Sequence, residues 1–381
     1  MSKNKKQLVP ARRFKEFENA DDWVQRKLGD IINVNSGRDY KHLNKGDIPV
    51  YGTGGYMLSV DKFLSDKNAV GIGRKGTINK PYVLYAPFWT VDTLFYTIPK
   101  TENDLFFISD IFQKINWLSK AESTGVPSLS KKTINNIKVY VPTFKEQQAI
   151  GSLFKKIDDL IVLQQRKLDK LKRVKAAYLT EMFPAEGERE PKRRFPGFTG
   201  AWVLRKLGDI GSVLMNKRIF KNETTSQGEI PFYKIGTFGG KADAFISKAL
   251  FSEYKNKYPY PKIGDLLISA SGSIGRIVEY TGKAEYFQDS NIVWLDHDET
   301  ISNKFLKQFY NIVRWQGLEG GTIKRLYNKN ILSTEIRYPN ISEQEAIGSL
   351  FQKIDDLIAL HQRKLDKLKK MKAAYLNEMF V

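Results

Sequence analysis

The stretch EQQAIGSLFKKIDDLIVLQQRKLDKLKRVKAAYLTEMF, residues 146–183, decides how the chain is organised. It returns as EQEAIGSLFQKIDDLIALHQRKLDKLKKMKAAYLNEMF at residues 343–380, where 31 of the 38 positions are identical. The apolar residues recur in alternating steps of four and three, which is the heptad spacing of a coiled coil. A single amphipathic helix lying on a globular core would show a similar stripe. Because the stripe is present in two nearly identical copies, we expect the two helices to pair with each other, antiparallel.

The seam of this helical pair is predicted from the stripe. A polar position, Gln164 in the first copy and His361 in the second, interrupts it near its centre. In a centred antiparallel pair these two side chains meet, and a polar position in a seam lowers stability but fixes the register. The predicted seam positions are Ile150, Phe154, Ile157, Ile161, Gln164, Leu168 and Leu171 in the first helix and Ile347, Phe351, Ile354, Ile358, His361, Leu365 and Leu368 in the second.

The duplication extends beyond the helices. RRFKEFENADDWVQRKLGDI at residues 12–31 aligns with RRFPGFTGAWVLRKLGDI at 193–210, and GDIPVY at 46–51 resembles GEIPFY at 228–233. The chain is therefore one unit written twice, each copy a globular block followed by a long helix. A period of about 200 residues is too long for a solenoid, and it indicates a duplicated domain with pseudo-two-fold symmetry.

The globular blocks are rich in Tyr, Phe, Ile, Val and Thr and are punctuated by Gly, Pro, Asn and Asp, which is typical of short strands and tight turns. Segments such as residues 104–121 and 303–319 instead carry apolar residues at helical spacing and are predicted to be helices. We therefore predict an α+β fold in which two blocks, each a twisted β-sheet with a few helices, are separated by an antiparallel coiled coil. The predicted segments are a first block at 1–143, a helix at 146–183, a linker at 184–192, a second block at 193–340 and a helix at 343–381.

The net charge of the chain indicates what kind of molecule it binds. The net charge is +20, and the two helical repeats carry only +3 and +1 of it, so +16 lies on the remaining residues. A solvated basic surface is the simplest interpretation, but an excess of this size favours a polyanion, and nucleic acid is the commonest. The chain has no cysteine, no secretory signal and no apolar run of membrane-spanning length. We expect a cytoplasmic protein without a membrane partner.

Motifs that would support catalysis are weak. YGTGGY at residues 51–56 lacks the spacing of a P-loop, and GIGRKG at 71–76 lacks the βαβ context of a dinucleotide site, so both are interpreted as turns. The three histidines, His42, His297 and His361, have no metal-ligand spacing. A nuclease-like D…ExK pattern can be matched to Asp243, Glu253 and Lys255. The other repeat does not share these residues, so the match is weak. We expect no catalytic residue, no metal and no cofactor in this chain.

Four loops remain as candidates for DNA binding: GRKGTINK at 73–80, GVPSLSKK at 125–132, SASGSIGR at 269–276 and GTIKRLYNKN at 321–330. Hydroxyls and backbone amides bind phosphate oxygens, whereas Arg and Lys bind phosphate or guanine edges. Each loop alone could be an ordinary hydrated turn, but their matching positions in both blocks favour binding. The candidate residues are Arg74, Lys75, Thr77, Lys80, Ser128, Ser130, Lys131, Ser271, Ser273, Arg276, Thr322, Lys324 and Arg325.

The chain resembles the specificity subunit of type I restriction-modification systems over essentially its whole length. The resemblance lies in the duplicated segments at residues 12–31 and 193–210, in the duplicated helices and in the dissimilar blocks between them. The resemblance implies that each block is a target recognition domain that binds one half of a bipartite site in double-stranded DNA. It also implies that the paired helices are a spacer on which two methylation subunits dock, with S-adenosylmethionine bound to those partners, and that restriction subunits join the complex.

Two alternatives remain open on the residues alone. A stand-alone adaptor would join two partners through the helical pair, and its basic charge would be incidental. A nuclease or methyltransferase in its own right would show activity from this chain alone. Salt-sensitive, sequence-selective binding to duplex DNA distinguishes the specificity subunit from the adaptor, because affinity that rests on phosphate contacts falls steeply with salt.

Overall fold

The computed structural model describes residues 8–123, 125–318 and 324–381, and the chain forms two compact units. Unit 1 combines Met1–Lys167 with His361–Val381, and unit 2 is Leu168–Leu360. Each long helix therefore contributes one half to each unit. In the described part of the chain, no helix is long and apolar enough to cross a membrane.

Unit 1 is an α+β unit with two sheets and a two-stranded ribbon. Its strands are β1 (Val24–Lys27), β2 (Ile32–Ser36), β3 (Lys45–Gly52), β4 (Gly55–Val60), β5 (Ala69–Gly73), β6 (Tyr82–Leu84), β7 (Trp89–Thr90), β8 (Leu94–Pro99) and β9 (Lys138–Val141). Its helices are α1 (Leu28–Ile31), α2 (Leu105–Lys114), α3 (Lys131–Asn136) and the first part of α4 (Phe144–Glu181). The sheet orders are β2-β8-β5-β6 and β4-β3-β7, and β1 pairs with β9.

Unit 2 repeats this topology. Its strands are β10 (Val203–Lys206), β11 (Gly211–Leu214), β12 (Ile230–Tyr233), β13 (Ala244–Ile246), β14 (Leu266–Ser269), β15 (Ile277–Glu279), β16 (Tyr286–Phe287), β17 (Ile292–His297) and β18 (Glu335–Tyr338). Its helices are α5 (Lys248–Lys257), α6 (Asn303–Ile312), α7 (Asn328–Leu332) and the first part of α8 (Ile341–Glu378). The sheet orders are β11-β17-β14-β15 and β13-β12-β16, and β10 pairs with β18. The predicted α+β class, with two β-sheet blocks and two long helices, is confirmed.

The two predicted block helices are shorter than their apolar spacing suggested. Helix α2 ends at Lys114, and Ile115 adopts an extended conformation. Trp117 then folds back, and its indole Nε1 donates a hydrogen bond to the Phe112 carbonyl at 2.7 Å. Burial of Trp117 in the core accounts for the apolar spacing that the sequence shows beyond the end of the helix.

The main core of unit 1 is closed by the last residues of the chain. The Phe380 ring stacks on Phe107 of α2 with centroids 5.4 Å apart, and it contacts Trp23 at 6.0 Å and Phe154 of α4 at 5.9 Å. All four side chains are buried, together with Met379. Full burial of one such ring contributes about 1.5–3 kcal/mol, so the C-terminal end of α8 is part of the folding unit of the first block.

Unit 2 has the equivalent core, closed by the end of the first helix. Phe183 stacks on Phe305 of α6 with centroids 5.1 Å apart and contacts Trp202 at 5.9 Å. Met182 and Phe351 lie in the same cluster. The sequence Met-Phe that ends each helical repeat therefore belongs to the core of the other repeat's block.

A buried ion pair joins the segment before the first strand of each block to the start of a long helix. In unit 1 the Arg13 guanidinium binds both carboxylate oxygens of Glu146 at 2.7 Å, and the side chains are only 7% and 0% exposed. In unit 2 Arg194 binds Glu343 in the same two-pronged way, again at 2.7 Å. Bidentate, charge-assisted bonds of this kind are the strong ones, and they account for the repeated Arg and Glu positions.

The two long helices run antiparallel within each unit. In unit 1 Lys372 of α8 contacts Asp158 of α4 at 2.6 Å, and in unit 2 Lys175 contacts Asp355 at 2.6 Å. The predicted meeting of Gln164 and His361 is confirmed, since His361 Nδ1 lies 2.7 Å from Gln164 Oε1 in unit 1.

Close packing of α2 against α4 requires a glycine at position 151. Asp104 caps α2 by accepting hydrogen bonds from the amides of Phe106 and Phe107. A Cβ at Gly151 would stand 2.3 Å from the Asp104 carboxylate and 2.8 Å from the Phe107 amide. Gly348 has the same role against α6 in unit 2. The repeated Gly in AIGSLF is therefore a packing residue.

Asp110 of α2 gives unit 1 a pH-dependent stability. It is only 2% exposed, and its Oδ2 has no hydrogen-bond partner. Burial raises the pKa of Asp110 well above its usual range, opposed by Lys372 and reinforced by Asp158 and Asp104. The stability that Asp110 contributes is therefore fully present below the ordinary aspartate pKa and is lost as pH rises through the raised one.

We expect Asp110→Asn to remove this loss. Gln308 occupies the matching place on α6 and is also buried, so a neutral amide is compatible with the site. At pH 8 the variant should be more stable than the wild type, because its neutral amide does not have to ionise in the interior as the carboxyl with its raised pKa does. Calorimetry of wild type and variant between pH 4 and 8 measures it, and parallel stability curves would contradict the assignment.

Candidate nucleic-acid interface

The two candidate loops of unit 1 lie side by side. Lys75 and Ser128 form an isolated antiparallel bridge. Around it, the Gly76 amide donates to the Pro127 carbonyl at 2.9 Å, and the Leu129 amide donates to the Arg74 carbonyl at 2.9 Å. Segments 73–80 and 125–132, which are about fifty residues apart in sequence, therefore form one surface.

Unit 2 brings its loops together through the same backbone contacts. Ser271 and Arg325 form the corresponding bridge, and the Leu326 amide donates to the Ala270 carbonyl at 2.8 Å. The pair of loops is thus a shared framework, in which Lys75 and Ser128 of unit 1 are replaced by Ser271 and Arg325 of unit 2.

A third segment joins this surface in each unit, and the sequence did not single it out. In unit 1 the Arg74 amide donates to the Thr93 carbonyl at 2.8 Å, and the Val91 amide donates to the Tyr51 carbonyl at 3.0 Å. The link between β7 and β8 therefore connects the end of strand β3 to the basic loops. We call residues 51–56, 73–80, 91–93, 122–123 and 125–132 the loop platform of unit 1.

The loop platform of unit 2, which we define as residues 233, 269–276, 288–291 and 324–330, is held by the matching hydrogen bonds. The Ala270 amide donates to the Asn291 carbonyl at 2.7 Å, and the Gln288 amide donates to the Tyr233 carbonyl at 2.9 Å. The sequence contains one signal for this third segment, the similarity between GDIPVY and GEIPFY. These stretches end at Tyr51 and Tyr233, the residues whose carbonyls accept the hydrogen bonds that anchor the platforms.

Exposure differs among the predicted DNA-binding residues. Ser128 and Ser130 are half-buried, and Ser271 is buried because its hydroxyl donates to the Asn291 side chain at 2.6 Å. Thr322 lies outside the described residues. The exposed candidates are Arg74, Lys75, Thr77, Lys80, Lys131, Ser273, Arg276, Lys324 and Arg325.

Local contacts hold some of these side chains in place. The Arg74 guanidinium lies 5.7 Å from the centroid of the Phe95 ring, and Arg276 donates to the Gly239 carbonyl at 3.2 Å. Ser130 caps α3 by accepting from the Thr133 amide, and its own hydroxyl donates to Glu122 at 2.6 Å. An exposed arginine that is held by protein contacts loses less conformational freedom when it binds phosphate or a base edge.

The predicted helix positions form a seam inside the units, and none of them is exposed. Ile150, Phe154, Ile157, Leu168, Ile347, Phe351, Ile354 and Leu365 are buried. The half-buried positions are Ile161, Gln164, Leu171, Ile358, His361 and Leu368. The apolar side chains that α4 and α8 expose midway along their length are others, namely Leu160, Val162, Leu163, Leu357 and Leu360.

The nuclease-like set is not assembled into a site. Lys255 lies 5.1 Å from the Tyr260 ring centroid, whereas Glu253 pairs with Lys257 and Asp243 pairs with Lys234. Across residues 8–123, 125–318 and 324–381, no group of three or more His, Asp or Glu side chains is placed to hold a metal ion.

Comparisons with known proteins agree with this architecture. The family model of the type I restriction modification DNA specificity domain matches residues 20–173 and 200–370. A putative type I restriction enzyme specificity subunit from Haemophilus influenzae is 59% identical over 153 residues, which is 40% of this chain and 40% of that protein. A type I restriction enzyme specificity subunit from Methanocaldococcus jannaschii is 23% identical over 73% of this chain and 69% of its own.

A solved structure shows the same fold. The type I restriction-modification S subunit from M. genitalium superposes with a TM-score of 0.72 at 16% identity, covering 98% of this chain and 99% of its own. The two family-model matches together cover most of the sequence, and each spans one block and most of the long helix that follows it. The chain therefore belongs to the family of DNA specificity subunits of type I restriction-modification systems.

Proposed function

We propose that the loop platforms of the two units each bind one half of a bipartite, asymmetric site in double-stranded DNA. The observation that carries the proposal is the repetition of one backbone framework with different side chains: Lys75 beside Ser128 in one unit, Ser271 beside Arg325 in the other. A constant framework presents each set of side chains in the same way, and different side chains select different base edges. The +16 charge outside the helical repeats supplies the attraction to phosphate.

The helical pair is proposed to bind two copies of one methylation subunit. Leu160 and Leu163 of α4 are exposed, and the identical Leu357 and Leu360 occupy the matching positions of α8. Exposed leucines that occur twice in the same sequence context fit two copies of a single partner, each bound in an equivalent way. The chain itself is proposed to be non-catalytic, with S-adenosylmethionine carried by the methylation subunits and with restriction subunits joining the assembly.

Exchange of one block tests the bipartite assignment. Residues 24–141 of another family member should replace β1 to β9 while Arg13, Trp23 and Glu146 are kept, because these residues hold the block to the helix. We expect the methylated motif to change in one half alone, since unit 2 is untouched. Single-molecule sequencing of methylated adenines in cells that carry the complete system measures both halves.

The matched control exchanges residues 203–338, the segment from β10 to β18, and it should change the other half of the motif. A block exchange that alters both halves, or neither half in a complex that still methylates, would defeat the proposal.

A further inference from the structure

Glu122 is an acidic residue in the basic loop platform of unit 1. Its backbone amide donates to the Ser128 carbonyl at 3.0 Å, so it lies next to the bridge that joins the two loops. A basin on the platform is lined by Glu122 together with the cations Arg74, Lys75 and Lys131. A carboxylate repels phosphate, so it is not a residue for binding the DNA backbone.

The Glu122 carboxylate is oriented by two hydroxyl groups. Ser130 Oγ donates to Oε1 at 2.6 Å, and Thr133 Oγ1 donates to the same oxygen. These hydroxyls lower the pKa of Glu122 below its usual range, Ser130 having the larger effect. The group is therefore ionised and can only accept hydrogen bonds at neutral pH. The backbone amide of Ser130 and the charge of Lys132 favour the same ionised form.

The base edges of DNA present a group that suits such an acceptor. Cytosine offers its N4 amino group in the major groove and adenine its N6 amino group, whereas guanine and thymine present the acceptors O6 and O4. A fixed carboxylate therefore attracts one class of base and repels the other. We propose that Glu122 is a specificity-determining residue that accepts a hydrogen bond from an exocyclic amino group of one base in the half-site of unit 1. This inference rests on the proposed placement of DNA on the loop platform.

The decisive variant is Glu122→Gln, because an amide of the same shape can both donate and accept. We expect discrimination to fall roughly tenfold to a hundredfold at one base position of one half-site, since a well-placed contact is worth about that much against the wrong base. The test uses the complete methyltransferase complex, a panel of duplexes with every base at every position of the half-site, and adenine methylation mapped in cells. A relaxed cytosine position identifies N4 as the donor, and a relaxed adenine position identifies N6.

Thr133→Val serves as a second variant that leaves the carboxylate in place. It removes one orienting hydroxyl, so discrimination should weaken at the same base position and to a smaller extent. Relaxation at a guanine or thymine position, an unchanged motif in Glu122→Gln, or a uniform loss of affinity over all positions would overturn the inference.

Lys75→Ala separates a failure of this inference from a failure of the proposed DNA surface. Lys75 is exposed on the platform, so its removal should weaken binding to all duplexes alike and reduce the slope of log affinity against log salt by about one. Normal DNA binding by Lys75→Ala would show that DNA does not bind on the loop platform. Weakened binding by Lys75→Ala with an unchanged motif in Glu122→Gln would reject the role of Glu122 alone.

Discussion

Arg13→Met should destabilise unit 1 by about 3–5 kcal/mol, because it leaves Glu146 as an unpaired charge in the protein interior. The Glu146 side chain is 0% exposed, and Arg13 supplies two of its hydrogen bonds. The remaining contact from the Trp23 indole is long, at 3.4 Å. Scanning calorimetry should show one shifted transition, and hydrogen exchange of peptides from α2 and β1 should place the loss in the first block.

Two controls separate the charge effect from a packing defect. Arg194→Met removes the equivalent partner of Glu343 and should shift unit 2 instead. The double variant Arg13→Met with Glu146→Leu should recover much of the lost stability, since apolar residues often replace a buried ion pair without net cost. A loss below about 1 kcal/mol in Arg13→Met, or an equal loss in both units, would contradict this account of the pair.

Phe380→Ala should destabilise the first block, because its ring contacts Phe107 of helix α2, 273 residues earlier in the sequence. The ring is buried among Trp23, Phe107 and Phe154, and truncation of a core phenylalanine costs about 3–5 kcal/mol. Hydrogen exchange should accelerate in unit 1 peptides from 12–141 and stay unchanged in the block of unit 2. Binding of the half-site assigned to unit 1 should weaken in parallel.

The chain offers a matched control for this truncation. Phe183→Ala makes the same change in the core of unit 2, where the ring contacts Phe305 and Trp202. Deletion of Val381, which is 41% exposed, should leave both units intact. Loss of stability confined to the last turn of α8 in Phe380→Ala would show that the ring contributes nothing to the core of the first block.

The sequence predicted the long helices well because heptad spacing is local information. The helices themselves follow from periodicity that is visible in one stretch, and the comparison of the two copies added the antiparallel pairing and the contact between Gln164 and His361. By contrast, nothing in the Met-Phe that ends each repeat reveals which block takes it into its core. That choice is made by three-dimensional packing, which brings Phe380 to Phe107.

The candidate interface was predicted in part. The turn residues of the basic loops indicated surface segments, and most of their charged side chains are exposed. Ser271 shows the limit of such an argument, because the hydroxyl donates to Asn291, twenty residues further along the chain, and is buried there. Glu122 has no sequence signature, because an acidic residue beside a basic loop is ordinary in a charged chain. Its orientation depends on Ser130 and Thr133, whose hydroxyls donate to it in the folded structure.

The exchange of helix ends between repeats has a consequence for synthesis on the ribosome. Domains usually fold in the order in which they are translated. The core of unit 2 needs residues between Leu168 and Leu360 only, whereas the core of unit 1 waits for Met379 and Phe380. The first block is therefore translated before the second but completed after it, and its aromatic core stays unfinished while the second block is synthesised.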